Sequence, residues 1–397
     1  MKKLTDSIIY VGVDDFQTNL FENQYPIAGG VSYNSYVIKD SKIAVMDTVD
    51  KMATDKWFDN LEEALDGKAP DYLIVSHLEP DHSANIERFI CKYPETIVVG
   101  NDKTFAMLPQ FIDTELKDEY KLAVKEGDEL SLGSHTLKFV MAPMVHWPEV
   151  MVAYETAEKI LFSADAFGMF GALDDKLFSD EVEGFPQGWS GEARRYFVNI
   201  VGKYGNTVQA LLKKLSGVEV SMIAPLHGLV LRGNLDYYLD KYNTWSSYTP
   251  EEEGVVIAYA TLHGNTREAA EYLAAIIRQK TDKKVAVFDL SRIDMSYVMA
   301  ATFRWSKLVL AGVTYDGSIM PCMEDLLYHL KMKNLQNRKI AIVENGSWAP
   351  MAGKLIRQGV EQLKNVEIYD NTITIKTRMN DNNKNELFEL ADWLLKN

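Results

Sequence analysis

Four histidines and three carboxylates stand at the ends of apolar runs in this chain, a set of side chains able to hold metal ions. Tyr72-Leu73-Ile74-Val75-Ser76 runs into His77-Leu78-Glu79-Pro80-Asp81-His82. Phe139-Val140-Met141-Ala142-Pro143 leads to His146, Ile160-Leu161-Phe162-Ser163 to Asp165, and Met222-Ile223-Ala224-Pro225 to His227-Gly228. Strand ends gather residues from distant sequence into one cleft. Imidazole nitrogen suits borderline ions, and carboxylate oxygen favours iron or manganese. Seven ligands exceed what one tetrahedral ion takes and suit two ions sharing a bridging carboxylate. A lone histidine after a strand is more often a hydrogen-bonded loop residue, and one short motif carries a real false-positive risk. Recurrence at three further strand ends favours the metal reading. The only two cysteines, Cys91 and Cys322, exclude a disulfide framework and a cysteine-held cluster.

A second constellation lies further along. The apolar run Val255–Ala260 ends in Thr261-Leu262-His263-Gly264-Asn265-Thr266 before a helical stretch. Free backbone N–H groups and the positive end of a helix dipole suit a phosphate there, with the Thr261 and Thr266 hydroxyls as further donors. A simply capped turn is an equally good reading of that loop alone. Two more strand ends carry Thr314-Tyr315-Asp316-Gly317 and Asn345-Gly346-Ser347-Trp348-Ala349-Pro350. Each has small residues for close approach and one aromatic able to stack on a flat ring. Taken singly, Tyr315 and Trp348 read as ordinary surface or core aromatics. Three such loops in register favour FMN.

These residues need two scaffolds. Ser247-Tyr248-Thr249-Pro250-Glu251-Glu252-Glu253-Gly254 reads as a linker, dividing a domain of residues 1–249 from one of 254–397. Beyond it, strands at 255–260, 285–289, 308–313, 340–343 and 366–369 alternate with helices near 266–279, 322–332, 351–363 and 384–396. That pattern indicates a doubly wound parallel sheet of five strands, of flavodoxin size. Before it, strands at 36–38, 43–46, 72–76, 96–99, 136–141, 151–154 and 160–163 mix with helices near 52–65, 84–91, 104–109 and 190–214. Packed sheets with helices outside are expected. The net charge of −15 opposes a nucleic-acid partner. It is uneven: residues 254–397 carry 19 basic and 16 acidic side chains, which leaves −18 on residues 1–253. No run approaches the roughly 18 apolar residues of a membrane span, and acidic residues interrupt the N-terminus, so a cytoplasmic protein is expected.

His77-x-Glu79-x-Asp81-His82 followed by His146, Asp165 and His227 resembles the metallo-β-lactamase fold in its iron-binding variant. Hydrolytic members carry His-x-His-x-Asp-His and usually zinc; here Glu79 stands where the second histidine would be. That exchange resembles the flavodiiron proteins, also called A-type flavoproteins, and the Thr-x-x-Gly-x-Thr loop resembles the phosphate loop of flavodoxins. The resemblance covers essentially the whole chain. It implies an N-terminal αββα sandwich followed by a flavodoxin-like α/β domain. One iron would be held by His77, Glu79 and His146, the other by Asp81, His82 and His227, with Asp165 as the bridge. No catalytic residues are implied beyond the metal ligands. The implied activity is electron transfer from FMN to a diiron centre that reduces dioxygen to water or nitric oxide to nitrous oxide. Rubredoxin or another small donor would supply the electrons, with a deazaflavin coenzyme as the alternative. A head-to-tail homodimer, or a dimer of dimers, would set each FMN beside the other subunit's irons. Many relatives have a pocket histidine near Leu20-Phe21-Glu22, and this chain has none. Tyr196 is either a pocket residue or, more often for such a position, a helix-core tyrosine. Lys331, Lys333, Arg338 and Lys339 form a basic stretch that would either dock an acidic donor or be a solvated helix end. A metal-dependent hydrolase with a flavodoxin-like accessory domain is the competing reading, and Glu79 argues against it. A flavin-based redox sensor without turnover is a third.

Overall fold

A computed structural model describes every residue except Pro186 and Asn397. The chain divides into two compact units, Met1–Phe197 with Asn206–Asn243, and Val198–Gly205 with Thr244–Asn397.

The first unit is built on two sheets. The larger runs β1 (Lys2–Lys3), β2 (Ile8–Tyr10), β3 (Tyr36–Lys39), β4 (Ile43–Met46), β5 (Tyr72–Ile74), β6 (Ile97–Gly100) and β7 (Lys121–Ala123) in spatial order. It is antiparallel as far as β4 and parallel beyond it. The second runs β8 (Glu129–Ser131), β9 (Thr136–Met141), β10 (Met151–Glu155), β11 (Ile160–Phe162), β12 (Met222–Ala224) and β13 (Leu231–Arg232). Side chains alternate faces along a strand, so Tyr36, Ile38, Ala44 and Met46 meet Leu137, Phe139, Met151 and Ala153 in one core. All four residues of β4 are nevertheless buried. Its sheet is covered outside as well, where α1 (Thr54–Leu65) packs on β3 and buries Trp57, Phe58 and Leu61. This is the expected sandwich.

In the second unit β14 (Glu252–Tyr259), β15 (Lys284–Asp289), β16 (Trp305–Tyr315), β17 (Lys339–Asn345) and β18 (Glu367–Ile368) form a parallel sheet. The spatial order is β15-β14-β16-β17-β18, the 2-1-3-4-5 order of flavodoxin-like folds. The order reverses between β14 and β16, and ligands bind outside the carboxyl ends of strands at such a switch point. On one face the helices Asn265–Lys280 and Asp381–Leu395 share a core with Val255, Ile257, Val309 and Val343.

Several elements differ from expectation, among them a helix at Leu235–Ser246 and strands at Ile8–Tyr10, Lys121–Ala123 and Glu129–Ser131 that were not expected. The fifth strand is interrupted, and a second piece at Ile373–Ile375 also pairs with β17. A helix at Met295–Arg304 was not expected: seven of its ten residues are buried, so no polar stripe marks its period. The single helix expected over 190–214 is divided into two, Gln187–Tyr196 and Gly205–Leu215, by a wider-wound turn at Phe197–Val201 and a tight one after it. Gly205 explains the division. A Cβ there would lie 2.3 Å from the Ser246 carbonyl oxygen, and its N–H donates to the Tyr248 hydroxyl at 3.0 Å. No helix among the described residues is long and apolar enough to cross a membrane.

Candidate metal centre and cofactor pocket

The metal candidates converge because four strand ends of the first unit deliver them to one cleft. After β5, the N–H groups of Ser76 and His77 donate to Asp47 Oδ1 at 2.7 and 3.4 Å, which turns the chain outward. Pro80 then starts a single helical turn, Pro80–Ser83, with Glu79 at its N-cap position. That turn fans Glu79, Asp81 and His82 around the cleft. His82 is held from behind, its carbonyl accepting from Thr48 Oγ1 at 2.6 Å. Asp165 sits in a tight turn after β11 between Ala164 and Phe167, both left-handed at φ +50° and +68°. The N–H of Phe167 donates to the Tyr242 hydroxyl. His227 follows β12, with its Nδ1 against the Ser32 carbonyl at 2.8 Å.

Asp165 divides the cluster in two. Its Oδ2 lies 3.3 Å from His77 Nε2 and 3.1 Å from His146 Nε2, while its Oδ1 lies 3.3 Å from His82 Nε2 and 3.7 Å from His227 Nε2. Glu79 Oε2 completes the first group at 3.0 Å from His146, and Asp81 Oδ2 the second at 3.1 Å from His227. The ligand atoms of His77, Glu79, His146 and Asp165 all lie within 4.8 Å of one another, as do those of Asp81, His82 and His227. All four imidazoles and Asp165 are buried. Yet Nε2 of His82, His146 and His227 and both oxygens of Asp165 have no hydrogen-bond partner among the described residues. Their mutual distances are short, but the angles are wrong for hydrogen bonds. Buried lone pairs left unmatched and aimed at common points fit two metal ions.

Without metal the imidazoles take protons instead. Burial pulls the His146 imidazole down, but the Asp165 and Glu79 carboxylates close to its Nε2 outweigh it and hold the ring at about 9. His77 and His82 move the same way, and Asp165 falls well below the usual carboxylate range. A metal must displace that proton from His146, so apparent affinity should rise with pH until about 9, about tenfold per unit for each proton released. In the metal-free protein the His146 pairing stabilises fully below the free imidazole value near 6.5, and that contribution is lost as pH rises through about 9. Chelator competition at pH 6, 7, 8 and 9 measures the first effect, and affinity independent of pH would contradict it.

Sequence reading missed the residues that back the cluster. Glu149 is fully buried and faces His77 Nδ1 at 2.8 Å; Asp47 and Ser32 act through backbone bonds. Of the Leu20-Phe21-Glu22 stretch, Phe21 reaches the cluster, its ring meeting His227 edge-on at 5.1 Å. Glu22 stands at the rim, raised to about 7 by desolvation and the Glu79 charge. Tyr196 is a pocket residue: its ring lies 5.7 Å from His227 and 5.2 Å from Phe170 in an aromatic wall.

In the second unit a cavity of about 480 Å³ opens at the switch point, within the usual range for a cofactor. Its lining includes Thr261, His263, Asn265, Thr266, Thr314, Tyr315, Asp316, Gly317, Asn345, Gly346, Ser347, Trp348 and Ala349. Gly264 is the remaining expected residue. It turns left-handed at φ +94° at the head of the helix Asn265–Lys280, and its N–H donates to Thr261 Oγ1 at 3.0 Å. Thr314 does more than line the cavity, since its hydroxyl accepts from the N–H groups of Met351 and Ala352. A fourth loop was missed: Thr377 lines the cavity and is tied to Asn345 through Asn345 Oδ1 at 3.1 Å and Nδ2 at 2.9 Å. Trp348 is 93% and Tyr315 42% exposed, leaving both rings free for a planar ligand.

The basic stretch is not a surface patch as a whole. Arg338 is 2% exposed, its guanidinium donating to the carbonyls of Thr302, Phe303 and Tyr248. Lys333 reaches the Asn199 carbonyl and Lys339 the Glu367 carboxylate. Lys331 alone of the four is exposed.

Residues 31–228 match the family described as ODP family beta lactamase. An anaerobic nitric oxide reductase flavorubredoxin of Escherichia coli is 32% identical over 355 residues, covering 87% of this chain and 72% of the relative. An uncharacterized protein of Methanocaldococcus jannaschii is 26% identical over 393 residues, 99% of this chain and 97% of that one. Among solved structures, rubredoxin oxygen:oxidoreductase from Desulfovibrio gigas superposes with a TM-score of 0.92 at 24% identity, covering 98% of this chain and 96% of that one. The flavodiiron protein of Giardia intestinalis gives 0.91 at 23%, covering 99% and 95%. At that identity the two structures speak to the fold, and the flavorubredoxin speaks to the family. The chain belongs to the flavodiiron proteins, oxidoreductases that carry FMN and a non-haem diiron centre.

Proposed function

We propose that the protein is a gas reductase that uses electrons received at FMN to reduce dioxygen to water, nitric oxide to nitrous oxide, or both, at a diiron centre. The observation that carries this reading is the division of Asp165 between two histidine groups, which suits a bridged pair of ions. Bound FMN would relay electrons, and the iron pair would take up and reduce the diatomic gas. His77, Glu79 and His146 hold one position and Asp81, His82 and His227 the other. Glu79 supplies an anionic oxygen where a hydrolase would present a neutral nitrogen. Phe21, Phe170 and Tyr196 wall the cleft and limit water. Burial and the Asp165, Asp81 and Glu79 charges keep the Tyr196 hydroxyl protonated, a neutral donor facing the cleft. Thr261, Gly264, Asn265 and Thr266 would receive the FMN phosphate, with Tyr315 and Trp348 against the ring system.

The two roles fall to residues 1–249 and 254–397. Head-to-tail pairing of two chains, as a homodimer or within a dimer of dimers, brings a −18 region to face a +3 region and sets one chain's flavin beside the other's irons. Sizing chromatography showing a fully active monomer would remove that part. Rubredoxin or a similar small acidic protein is the donor class that the exposed Lys331 favours over a deazaflavin coenzyme. Lys331→Glu should slow flavin reduction by such a donor several-fold at low salt and flatten its salt dependence. Unchanged stopped-flow traces would reject the docking role.

Iron and FMN analysis, together with gas-electrode assays on each gas, tests the reading. Two irons and one FMN per chain with turnover of either gas support it, and zinc without flavin would sink it.

A further inference from the structure

We infer that Glu149 is a positioning residue that makes the two metal positions electronically unequal, strengthening the ligand field on the His77 side. The inference rests on the two-metal reading above. Glu149 Oε1 and His77 Nδ1 are 2.8 Å apart and both side chains are fully buried. An ionised carboxylate only accepts, so Nδ1 carries the hydrogen and the Nε2 lone pair faces Glu79 and Asp165. The same Oε1 accepts the Leu78 N–H at 2.9 Å. The Glu149 carbonyl is held by Asn101 Nδ2 at 2.5 Å, and the Asn101 side chain also caps the helix Asp102–Met107. Oε1 of the carboxylate is thus held by His77 and Leu78, and the Glu149 backbone by Asn101.

The two imidazoles of the other group are backed more weakly. His227 Nδ1 faces a neutral carbonyl, that of Ser32, at 2.8 Å. His82 Nδ1 has no partner among the described residues. Asp47, the other buried carboxylate behind the cluster, is bonded to the backbone N–H groups of Ser76 and His77. An anionic acceptor behind a ligand imidazole raises its basicity and stabilises the more highly charged metal ion. Three carboxylate ligands against two divalent ions leave a buried net charge of +1. Glu149 and Asp47 are two further buried carboxylates, and of these only Glu149 is hydrogen-bonded to a ligand imidazole, that of His77. The ion at His77, Glu79 and His146 should accordingly have the lower reduction potential and bind more tightly.

Glu149→Gln keeps the shape and one acceptor oxygen while removing the charge. In the full-length protein loaded with iron-57, one iron should be stripped by chelator roughly 10- to 100-fold more readily. Its Mössbauer doublet should shift while the other stays, and the mixed-valent form should span a narrower range of potential in an EPR-monitored titration. Asn101→Ala, which frees Glu149 from behind, should shift the same doublet by less and serves if the glutamine variant does not fold. Equal disturbance of both irons, or an unchanged spectrum and chelation rate, would overturn the inference. Fewer than two irons in the unaltered protein would instead defeat the two-metal reading itself.

Discussion

Replacing Asp165 with alanine is expected to empty both metal positions and to lower gas turnover at least ~10³-fold, equivalent to about 4 kcal/mol of lost transition-state stabilisation. The expectation follows from geometry. Asp165 is the one side chain with an oxygen in each group, at 3.1–3.3 Å from His77 and His146 and 3.3–3.7 Å from His82 and His227. It is buried, so no water replaces it easily. Removing it leaves Glu79 and Asp81 as the only carboxylates against two divalent ions. The turn that carries it would survive, because the N–H bonds of Ala166 and Gly168 to Ser163 and Asp165 carbonyls do not involve the side chain. FMN content should stay at the unaltered level. Iron retained near two per chain in the variant would contradict the bridging role.

The second large effect is expected at the flavin loop. Thr261→Val with Thr266→Val should weaken FMN binding roughly 10²- to 10⁴-fold, taking about 1.5–3 kcal/mol for each hydrogen bond to a charged group. The two hydroxyls act differently. Thr261 Oγ1 accepts the Gly264 N–H and so holds the left-handed glycine in place. Thr266 is buried on the first turn of the helix Asn265–Lys280 and lines the cavity. The single Thr261→Val variant should therefore lose more than one bond's worth, because the loop loosens as well. Fluorescence titration of flavin-stripped protein gives the affinities, and iron content should be unaffected. Affinity within threefold of the unaltered protein would show that the phosphate is held elsewhere.

Much of this arrangement is legible in the sequence because each site residue follows a strand whose apolar run ends sharply, as at Ser76, Ser163 and Pro225. Strand ends and helix starts are local facts, and so is the Gly264 turn. What escaped reading is what depends on distant pairing. Glu149 has no local mark, since its meaning comes from His77, 72 residues away. Thr377 joins the cavity only because a split fifth strand returns beside β17. The break at Gly205 reflects the approach of Ser246 and Tyr248. Arg338 looked like part of a charged surface stretch, yet its guanidinium closes carbonyl groups in the interior. Charge in sequence does not report burial. Tyr196 closes the end of a helix whose interruption could not be foreseen, which is why it reads as helix core from sequence and stands in the cleft wall in three dimensions.

Passage of electrons from the flavin through the metal pair to a gas is the proposed activity. Its most direct test is single-turnover stopped-flow on fully reduced, iron-loaded protein mixed anaerobically with nitric oxide, and separately with dioxygen, following flavin absorbance. The same traces are recorded for the Asp165→Ala variant carrying its normal FMN. Rapid flavin reoxidation with at least one gas, slowed at least ~10²-fold in the variant, is the predicted result. Reoxidation equally fast with and without the metal pair would contradict the account.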